Sequence, residues 1–196
     1  MEAILASNNK HKLIEIRKYL SGKFQNIYSL KDKNINIEIV EDGDSFLANA
    51  LIKAKTIAKL TNLPTIADDS GICVDALDGA PGIYSARFAG EPCNDELNNQ
   101  KLLKELENKN AMDASQRKAH YVAAIVIYFP DTDTYKYAEG KTYGTILKEY
   151  RGSNGFGYDP LFLSDDLNKT LAEVDLEEKN KVSHRARALE SLLKQL

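Results

Sequence analysis

The first twenty residues of the chain run from a short apolar segment through a polar turn into an amphipathic segment. The segment AILA (residues 3–6) predicts a strand, because it is short and apolar throughout. Residues 11–20 carry Leu13, Ile16 and Leu20 at helical spacing. A strand, a turn and a helix are therefore expected in direct succession at the start of the fold.

Later segments repeat these two patterns. Apolar residues follow one helical face after Ser45, the predicted N-cap, and Ser183 is the predicted cap of the last helix. The predicted helices cover residues 45–60, 95–108 and 183–196. The predicted strands cover residues 35–40 (INIEIV), 120–129 and 134–147. Residues 77–90 are rich in glycine and proline and predict an ordered loop. Because no linker, repeat or low-complexity tract interrupts these patterns, we expect a single domain over residues 1–196.

Composition limits the classes of partner. The net charge is −3 and the isoelectric point is about 5.7, so no broad nucleic-acid or membrane surface is expected, and any polyanion must meet locally gathered cations. Cys73 and Cys93 lack metal-ligand spacing and are too few for a disulfide framework. The apolar run at the N-terminus is too short, and polar residues follow it too early, for a signal peptide. A cytoplasmic location is therefore expected.

Two adjacent aspartates, Asp68 and Asp69, follow an apolar run and precede Ser70 and Gly71. Carboxylates at a predicted strand end are commonly solvated turn residues, because aspartate accepts local backbone hydrogen bonds and glycine allows positive φ. In α/β proteins, however, strand ends border the ligand crevice, where paired carboxylates suit a hard divalent cation or a general base. The local sequence leaves both interpretations open.

A second candidate cluster lies between the first strand and the first helix. Hydroxyl, amide and ammonium groups there stand at a helix N-terminus, which offers N–H groups and a positive dipole end to anions. This indicates a triphosphate cradle, although the Walker motif is absent and a capped surface helix with scattered lysines has the same pattern. The candidate residues are Ser7, Asn8, Asn9, Lys10, His11 and Lys12.

Two further clusters occur near the C-terminal end. In GFGYDP, glycines on both sides of Phe156 leave its ring free to stack on a flat base, and Asp159 offers a carboxylate to ring N–H groups. An Asn-Gly hairpin with core aromatics is the structural alternative. Lys179, His184 and Arg185 are predicted near the start of the last helix, where cations oppose the macrodipole and are better explained by an anionic or carbonyl-bearing partner.

Taken in order, the motifs SNNKHK, ADDSG, GAPGIYSAR, GFGYDP and SHR resemble those of the inosine triphosphate pyrophosphatase family, from Ala6 to about Leu189. The resemblance implies an α/β fold with a long mixed sheet flanked by helices, two lobes with an active-site cleft between them, and a homodimer. It also implies that nonstandard purine triphosphates such as ITP, dITP and XTP are hydrolysed to the monophosphate and pyrophosphate, with Mg²⁺ as cofactor.

The same resemblance assigns roles to individual residues. It places the triphosphate on Ser7, Asn9 and Lys12 with Lys53 nearby, and it makes Asp69 the base for the attacking water. The metal is assigned to Glu41 and Asp69, and the other substrate-binding residues are Ser70, Phe156, Gly157, Tyr158, Asp159, Lys179, His184 and Arg185. Because phosphates and carboxylates repel, the aspartate pair is best explained as a partner of Mg²⁺ and lysines.

One position departs from the family pattern. Many relatives have glutamate where this chain has Ala48, so a supporting carboxylate role there is in doubt and would fall to Glu38 or Asp42. For the base, we expect Arg185 and the backbone or ring of His184 to donate to the 6-oxo group, and Asp159 or a pocket carbonyl to accept from a ring N–H, which would reject adenine.

Two other functions remain as alternatives. A Maf-like nucleotide pyrophosphatase has a related sheet, but its opening motif of the Ser-x-Ser-x-Arg-Arg type does not match SNNKHK. A noncatalytic purine nucleotide-binding protein would keep the pocket, but it would not need Lys12, Glu41 and Asp69 together.

Overall fold

A computed structural model describes all residues of the chain, 1–196. It contains one six-stranded sheet, five α-helices and four short 3₁₀ segments. The strands are β1 (Glu2–Leu5), β2 (Asn26–Ser29), β3 (Thr65–Val74), β4 (Lys118–Phe129), β5 (Thr134–Ile146) and β6 (Phe162–Ser164). The helices are α1 (Lys10–Leu20), α2 (Phe46–Thr61), α3 (Asp95–Asn108), α4 (Leu176–Val182) and α5 (His184–Leu193).

The sheet has the strand order β2-β1-β3-β4-β5-β6. Strand β1 runs parallel to both β2 and β3, with Leu5 opposite Ser29 and Ile66, whereas β5 and β6 are antiparallel, with Ile146 opposite Phe162. The sheet is therefore mixed, and the predicted α/β fold class with a mixed sheet and flanking helices is confirmed.

The chain forms two compact units. Unit 1 comprises residues 1–69, 123–140 and 185–196, and unit 2 comprises residues 70–122 and 141–184. Three divisions fall within β3, β4 and β5, and the fourth falls after His184, the first residue of α5.

The core of unit 1 follows from the alternation of side chains along β1. Ala3 and Leu5 belong to the apolar cluster that contains residues of α1 and α5, whereas Ile4 belongs to a second cluster that contains one face of α2. Since successive side chains of a strand point to opposite faces, β1 is covered by helices on both sides. The polar segment after β1 is thereby brought to the end of a strand that is buried on both faces.

The core of unit 2 is a single apolar cluster. Ile72 and Val74 of β3, Leu102 and Leu106 of α3, and Phe162 of β6 belong to it. Tyr158 is also part of this core, and its hydroxyl donates to the carbonyl of Ser85 at 2.7 Å. This buried tyrosine anchors the glycine-rich segment in which it lies.

Three local predictions were wrong. Residues 35–40 form no strand: Ile35 and Ile39 pack on the α2-side core, while the sheet edge beside β1 is taken by β2, which the sequence interpretation missed. Strand β3 does not end at Asp68 and Asp69 but continues to Val74. The predicted group of cations at the last helix is divided, because Lys179 lies in the separate helix α4.

The predicted N-cap Ser45 is confirmed, since its hydroxyl accepts from the backbone N–H of Ala48. None of the helices is both long enough and apolar enough to pass through a bilayer.

Candidate active site

Asp68 and Asp69 lie in the middle of β3 and contact different partners. Neighbouring residues of a strand point to opposite faces, so the two carboxylates are separated although they are adjacent in sequence. The side chain of Asp68 is 0% exposed and that of Asp69 is 13% exposed. We call these two aspartates, together with the side chains of unit 1 that contact them directly or share a cation with them, the carboxylate cluster; its members are Lys12, Glu15, Glu41, Asn49, Lys53, Asp68, Asp69 and Arg185.

Asp68 is held by two cations. Its Oδ2 lies 3.0 Å from Lys12 Nζ and 3.2 Å from Arg185 Nε, and Arg185 Nη1 in turn donates to Glu15 Oε2 at 2.6 Å. Burial disfavours the charged carboxylate, but Lys12 and Arg185 outweigh it and hold the pKa of Asp68 well below its usual range. Asp68 is therefore a permanent anion that fixes its cations and is unsuited to accept a proton.

Asp69 has a different environment. Lys53 Nζ lies 3.1 Å from its Oδ1 and 2.6 Å from Glu41 Oε2, and Asn49 Nδ2 donates to its Oδ2 at 3.3 Å. Burial raises the pKa of Asp69, and the nearby charge of Glu41 adds to this effect against the opposing Lys53. Of the two aspartates, Asp69 is thus the one whose environment favours proton acceptance.

The cradle at the start of α1 is partly closed by its own side chains. Asn9 Oδ1 accepts from the backbone N–H groups of His11 and Lys12 at 2.9 and 3.2 Å, and Ser7 Oγ accepts from the N–H of Asn9. Asn8 Oδ1 accepts from the N–H of Lys31. These N–H groups are consequently paired within the protein, so Lys12 and the exposed Lys10 are the cations that this segment presents to an anion.

A second group of predicted residues lies in unit 2. Asp159 Oδ2 forms a buried ion pair with Lys179 Nζ at 2.5 Å and accepts from the N–H of Phe156 at 2.9 Å. Lys179 Nζ also lies 4.8 Å from the centroid of the Phe156 ring, which is 39% exposed. We call these three residues the aromatic cluster. It offers a partly open ring face next to a fixed ion pair.

The backbone around this ring is held from α3 and requires glycine. The N–H of Gly157 donates to Asp95 Oδ2 at 2.8 Å, and Asn99 Nδ2 donates to the carbonyl of Gly157 at 2.9 Å. Gly155 has a φ of +77°, and a Cβ there would lie 2.1 Å from Asp159 Oδ2. A side chain at residue 155 would therefore displace the carboxylate of the aromatic cluster.

His184 and Arg185 are neighbours in sequence, but their side chains have different partners. The ring of His184 stacks on Tyr121 within unit 2, with centroids 4.8 Å apart and an interplanar angle of 11°. Arg185 is 2% exposed, and its guanidinium contacts Asp68 and Glu15 in unit 1. This arrangement differs from the expected contact of Arg185 with a 6-oxo group, because its Nε and Nη1 are already bonded to carboxylates.

Comparison with known proteins identifies the family. The profile of the Ham1 family matches residues 3–195. The chain belongs to the Ham1 family. It is 49% identical over 195 residues to a dITP/XTP pyrophosphatase of Clostridium perfringens, covering 96% of this chain and 94% of the relative. It is 44% identical to the dITP/XTP pyrophosphatase of Bacillus subtilis, covering 100% and 96%.

Solved structures agree with this assignment. The chain matches the HAM1 protein of Coxiella burnetii with a TM-score of 0.90 and 38% identity, covering 100% of both chains. It matches the Staphylococcus aureus Ham1 protein with a TM-score of 0.88 and 37% identity, covering 100% of this chain and 97% of the other. The resemblance inferred from the five sequence motifs is thereby confirmed.

Within this Ham1-family chain, the carboxylate cluster includes two residues that sequence reasoning missed. Glu15 lies between Ile14 and Ile16 in the predicted first helix, and it is buried against Arg185. Its position three residues after Lys12 was a usable signal, since residues at this spacing share a helix face. Asn49 was overlooked because an amide among alanines in a helix carries no motif by itself.

Ala48 stands where many members of the resembled family have glutamate, and a neighbouring residue contacts Asp69 instead. The exposed residues Glu38 and Asp42 were the proposed substitutes, but the side chain that reaches Asp69 from the first turn of α2 is Asn49. Ser70, the first residue of unit 2, is half-buried in β3. Its contact with substrate stays a prediction.

The residues assigned to the metal fit Mg²⁺ by their chemistry. Lys53 Nζ contacts Glu41 Oε2 and Asp69 Oδ1 together, so both carboxylates converge on one centre of positive charge. No group of three or more histidine, cysteine, aspartate or glutamate residues is placed to hold a metal by itself. Two carboxylates are nevertheless the usual protein share of a Mg²⁺ site, whose other ligands are phosphates and water.

Proposed function

We propose that this Ham1-family protein hydrolyses nonstandard purine nucleoside triphosphates, such as dITP, ITP and XTP, to the monophosphate and pyrophosphate. The observation that carries the proposal is the asymmetry of the aspartate pair: Asp68 is neutralised by Lys12 and Arg185, whereas Asp69 has a raised pKa beside Lys53 and Glu41. The names of the relatives, dITP/XTP pyrophosphatases, support the same substrate class and reaction.

In the proposed reaction, a water molecule attacks the α-phosphorus and the bond from that phosphorus to the bridging oxygen of pyrophosphate breaks. Asp69 accepts a proton from the water, and pyrophosphate leaves with the electron pair of the broken bond. Glu41 and Asp69 would hold Mg²⁺, which when bound neutralises phosphate charge and favours ionisation of water. Lys12 and Lys53 provide charge-assisted contacts to the triphosphate.

The remaining residues of the cradle have smaller proposed roles. Ser7 and Asn9 shape the turn before α1 through their contacts with backbone N–H groups, and Lys10 and His11 are exposed beside it. Lys12 also contacts Asp68. We therefore assign the principal triphosphate contact to Lys12.

For the base, we propose that Phe156 stacks on the purine and that the fixed pair of Asp159 and Lys179 supplies hydrogen-bonding groups to its edge. A carboxylate only accepts and an ammonium only donates, so this pair presents a defined pattern to a ring N–H and a 6-oxo group. Adenine carries the reverse pattern at these positions, and such mismatches can discriminate by about 10⁴-fold. Gly157, Tyr158 and His184 hold the surrounding wall.

The test is a panel of dITP, ITP, XTP, dATP and dGTP with Mg²⁺, in which pyrophosphate and nucleoside monophosphate are both quantified. We expect equimolar pyrophosphate and monophosphate, with kcat/KM for the 6-oxo nonstandard purines far above that for dATP. Orthophosphate and a diphosphate as primary products, or binding without turnover as in a noncatalytic nucleotide-binding protein, would contradict the proposal. The homodimer and the cytoplasmic location stay predictions for separate tests.

A further inference from the structure

We propose that Asn49 is a positioning residue that sets Asp69 and the segment carrying Glu41 relative to each other. The inference rests on the proposed function, because its consequence is measured as pyrophosphate release. It is carried by one side chain with two bonds: Asn49 Nδ2 donates to Asp69 Oδ2 at 3.3 Å, and Asn49 Oδ1 accepts from the N–H of Gly43 at 2.9 Å.

The position of Asn49 is fixed by the start of α2. The hydroxyl of Ser45 caps the helix by accepting from the N–H of Ala48, and the N–H of Asn49 donates to the carbonyl of Ser45 at 3.0 Å. Asn49 is 1% exposed. A buried amide on a capped first turn has little freedom, so it can transmit the position of the helix to both of its partners.

The amide of Asn49 matches both of its partners. A carboxylate oxygen accepts and a backbone N–H donates, so the group between them must offer one donor and one acceptor. An aspartate at residue 49 would keep the contact with Gly43 but would place a second negative charge against Asp69. An alanine would remove both bonds and leave the N–H of Gly43 without its partner.

Gly43 is shaped to receive this amide. A Cβ at residue 43 would lie 2.7 Å from Asn49 Oδ1 and 2.8 Å from the Cβ of Ala48. Any side chain there would push the segment away from α2. Because Gly43 is two residues from Glu41, the contact fixes the backbone that carries the Glu41 carboxylate.

Lys53 forms a second, charged bridge beside the neutral bridge made by the Asn49 amide. Lys53 lies one turn after Asn49 on α2 and joins Glu41 Oε2 to Asp69 Oδ1. Its contacts use Glu41 Oε2 and Asp69 Oδ1, whereas Asn49 uses the other oxygen of Asp69 and a backbone N–H. The neutral bridge can therefore persist when the carboxylates exchange their cation, and it keeps the Asp69 carboxylate oriented.

The decisive variant is Asn49→Asp, with Asn98→Asp as the matched control. Asn98 is also a buried bridging amide, 2% exposed, whose Oδ1 accepts from the N–H of Ala89 and whose Nδ2 donates to the carbonyl of Ala86. Both substitutions keep the acceptor and remove the donor, but only Asn49 contacts a carboxylate. Loss of a supporting hydrogen bond of this kind typically lowers activity by about 10–100-fold.

We expect Asn49→Asp to lower kcat with dITP by about 10–100-fold with little change in KM, while Asn98→Asp keeps a kcat near that of the wild type. Both variants should lose comparable thermal stability. Equal kcat losses in the two variants, or a wild-type kcat in Asn49→Asp, would reduce Asn49 to a structural residue and overturn the proposal.

A second readout needs neither nucleotide nor metal. Amide hydrogen exchange of the free protein should show faster exchange at Gly43 in Asn49→Ala but protection near the wild-type level in Asn49→Asp, which retains the acceptor. Unchanged protection at Gly43 in Asn49→Ala would overturn the bridge to the Glu41 segment. If the wild-type protein failed to release pyrophosphate from dITP, the proposed function would fall, while this exchange measurement would still decide whether the bridge exists.

Discussion

The carboxylate cluster of unit 1 and the aromatic cluster of unit 2 use buried charge in different ways. In the carboxylate cluster, charged side chains are fixed by one another, as in the series Glu15, Arg185, Asp68 and Lys12. In the aromatic cluster, a single ion pair lies beside a partly exposed ring, and side chains of α3 hold the neighbouring backbone. We expect the first arrangement to suit the charged phosphates of a substrate and the second to suit its flat base.

From this difference we expect changes in rate and changes in binding of the base to be separable. Changes in the carboxylate cluster should affect all triphosphates alike, because the triphosphate is common to them. Changes in the aromatic cluster should act mainly through binding of the base.

The largest expected effect is that of Asp69→Asn. The amide keeps the shape but cannot accept the proton or supply charge to a cation, so kcat with dITP should fall by about 10²–10⁴-fold. Thermal stability should be equal or higher, because the buried charge with its raised pKa is removed. Steady-state kinetics and thermal unfolding of the purified variant measure both quantities.

Asp68→Asn is the matched control for this variant. The Asp68→Asn substitution leaves Arg185 and Lys12 without their shared anion, so this variant should be less stable than the wild type. Asp69→Asn, by contrast, should keep its stability. Near-native turnover in Asp69→Asn would remove this residue from the catalytic role.

Arg185→Ala should have the next largest effect and distinguishes the two regions. It removes a cation shared by Asp68 and Glu15, and losing one partner of a buried pair typically costs about 3–5 kcal/mol of unfolding free energy. Because the guanidinium serves the carboxylate cluster, kcat/KM for dITP and dATP should fall by the same factor. Chemical unfolding and kinetics with both nucleotides provide the measurements.

A selective loss with dITP in Arg185→Ala would restore the sequence-based expectation that this arginine contacts the 6-oxo group. In that case Arg185 would act on the base, and its assignment to the carboxylate cluster alone would be wrong.

Phe156→Ala should have the smallest effect of the three. Stacking of an aromatic ring on a base is worth about 1–3 kcal/mol and tolerates any base, so KM should rise by about tenfold for dITP and dATP alike, with kcat less affected. Tyr135→Ala, which removes an aromatic ring that is exposed to a similar extent outside both clusters, is the control. A large fall in kcat with an unchanged KM would place Phe156 in the chemistry.

Sequence patterns predicted the long elements well because their signals are local. Helix α2 shows both its apolar face and its N-cap Ser45 in consecutive residues, and β4 and β5 are long runs of strand-forming residues. The alternating residues 35–40 satisfied the strand pattern, but the short strand β2 takes the place beside β1, and Ile35 and Ile39 pack on the α2-side core. Such competition for a partner is a tertiary effect that no local pattern contains.

The candidate site shows the same limit. The motifs identified Asp68, Asp69 and Lys12, and the family resemblance added Lys53; these residue types suit phosphate and metal chemistry. The resemblance gave the base and metal roles to Asp69, but the physical reason lies in which cations reach each face of β3, and this cannot be read from the sequence. The resemblance grouped Arg185 with the base-binding residues through the motif SHR, but its buried side chain reaches Glu15, which is 170 residues away in sequence.

The most direct test of the account is hydrolysis of dITP in ¹⁸O-labelled water with Mg²⁺, followed by mass analysis of both products. Attack on the α-phosphorus with Asp69 as the proton acceptor predicts that the label enters the monophosphate and that pyrophosphate stays unlabelled. The labelled product should disappear together with turnover in Asp69→Asn. Label in pyrophosphate, or release of labelled orthophosphate, would show attack at another phosphorus and would contradict the proposed chemistry of the carboxylate cluster.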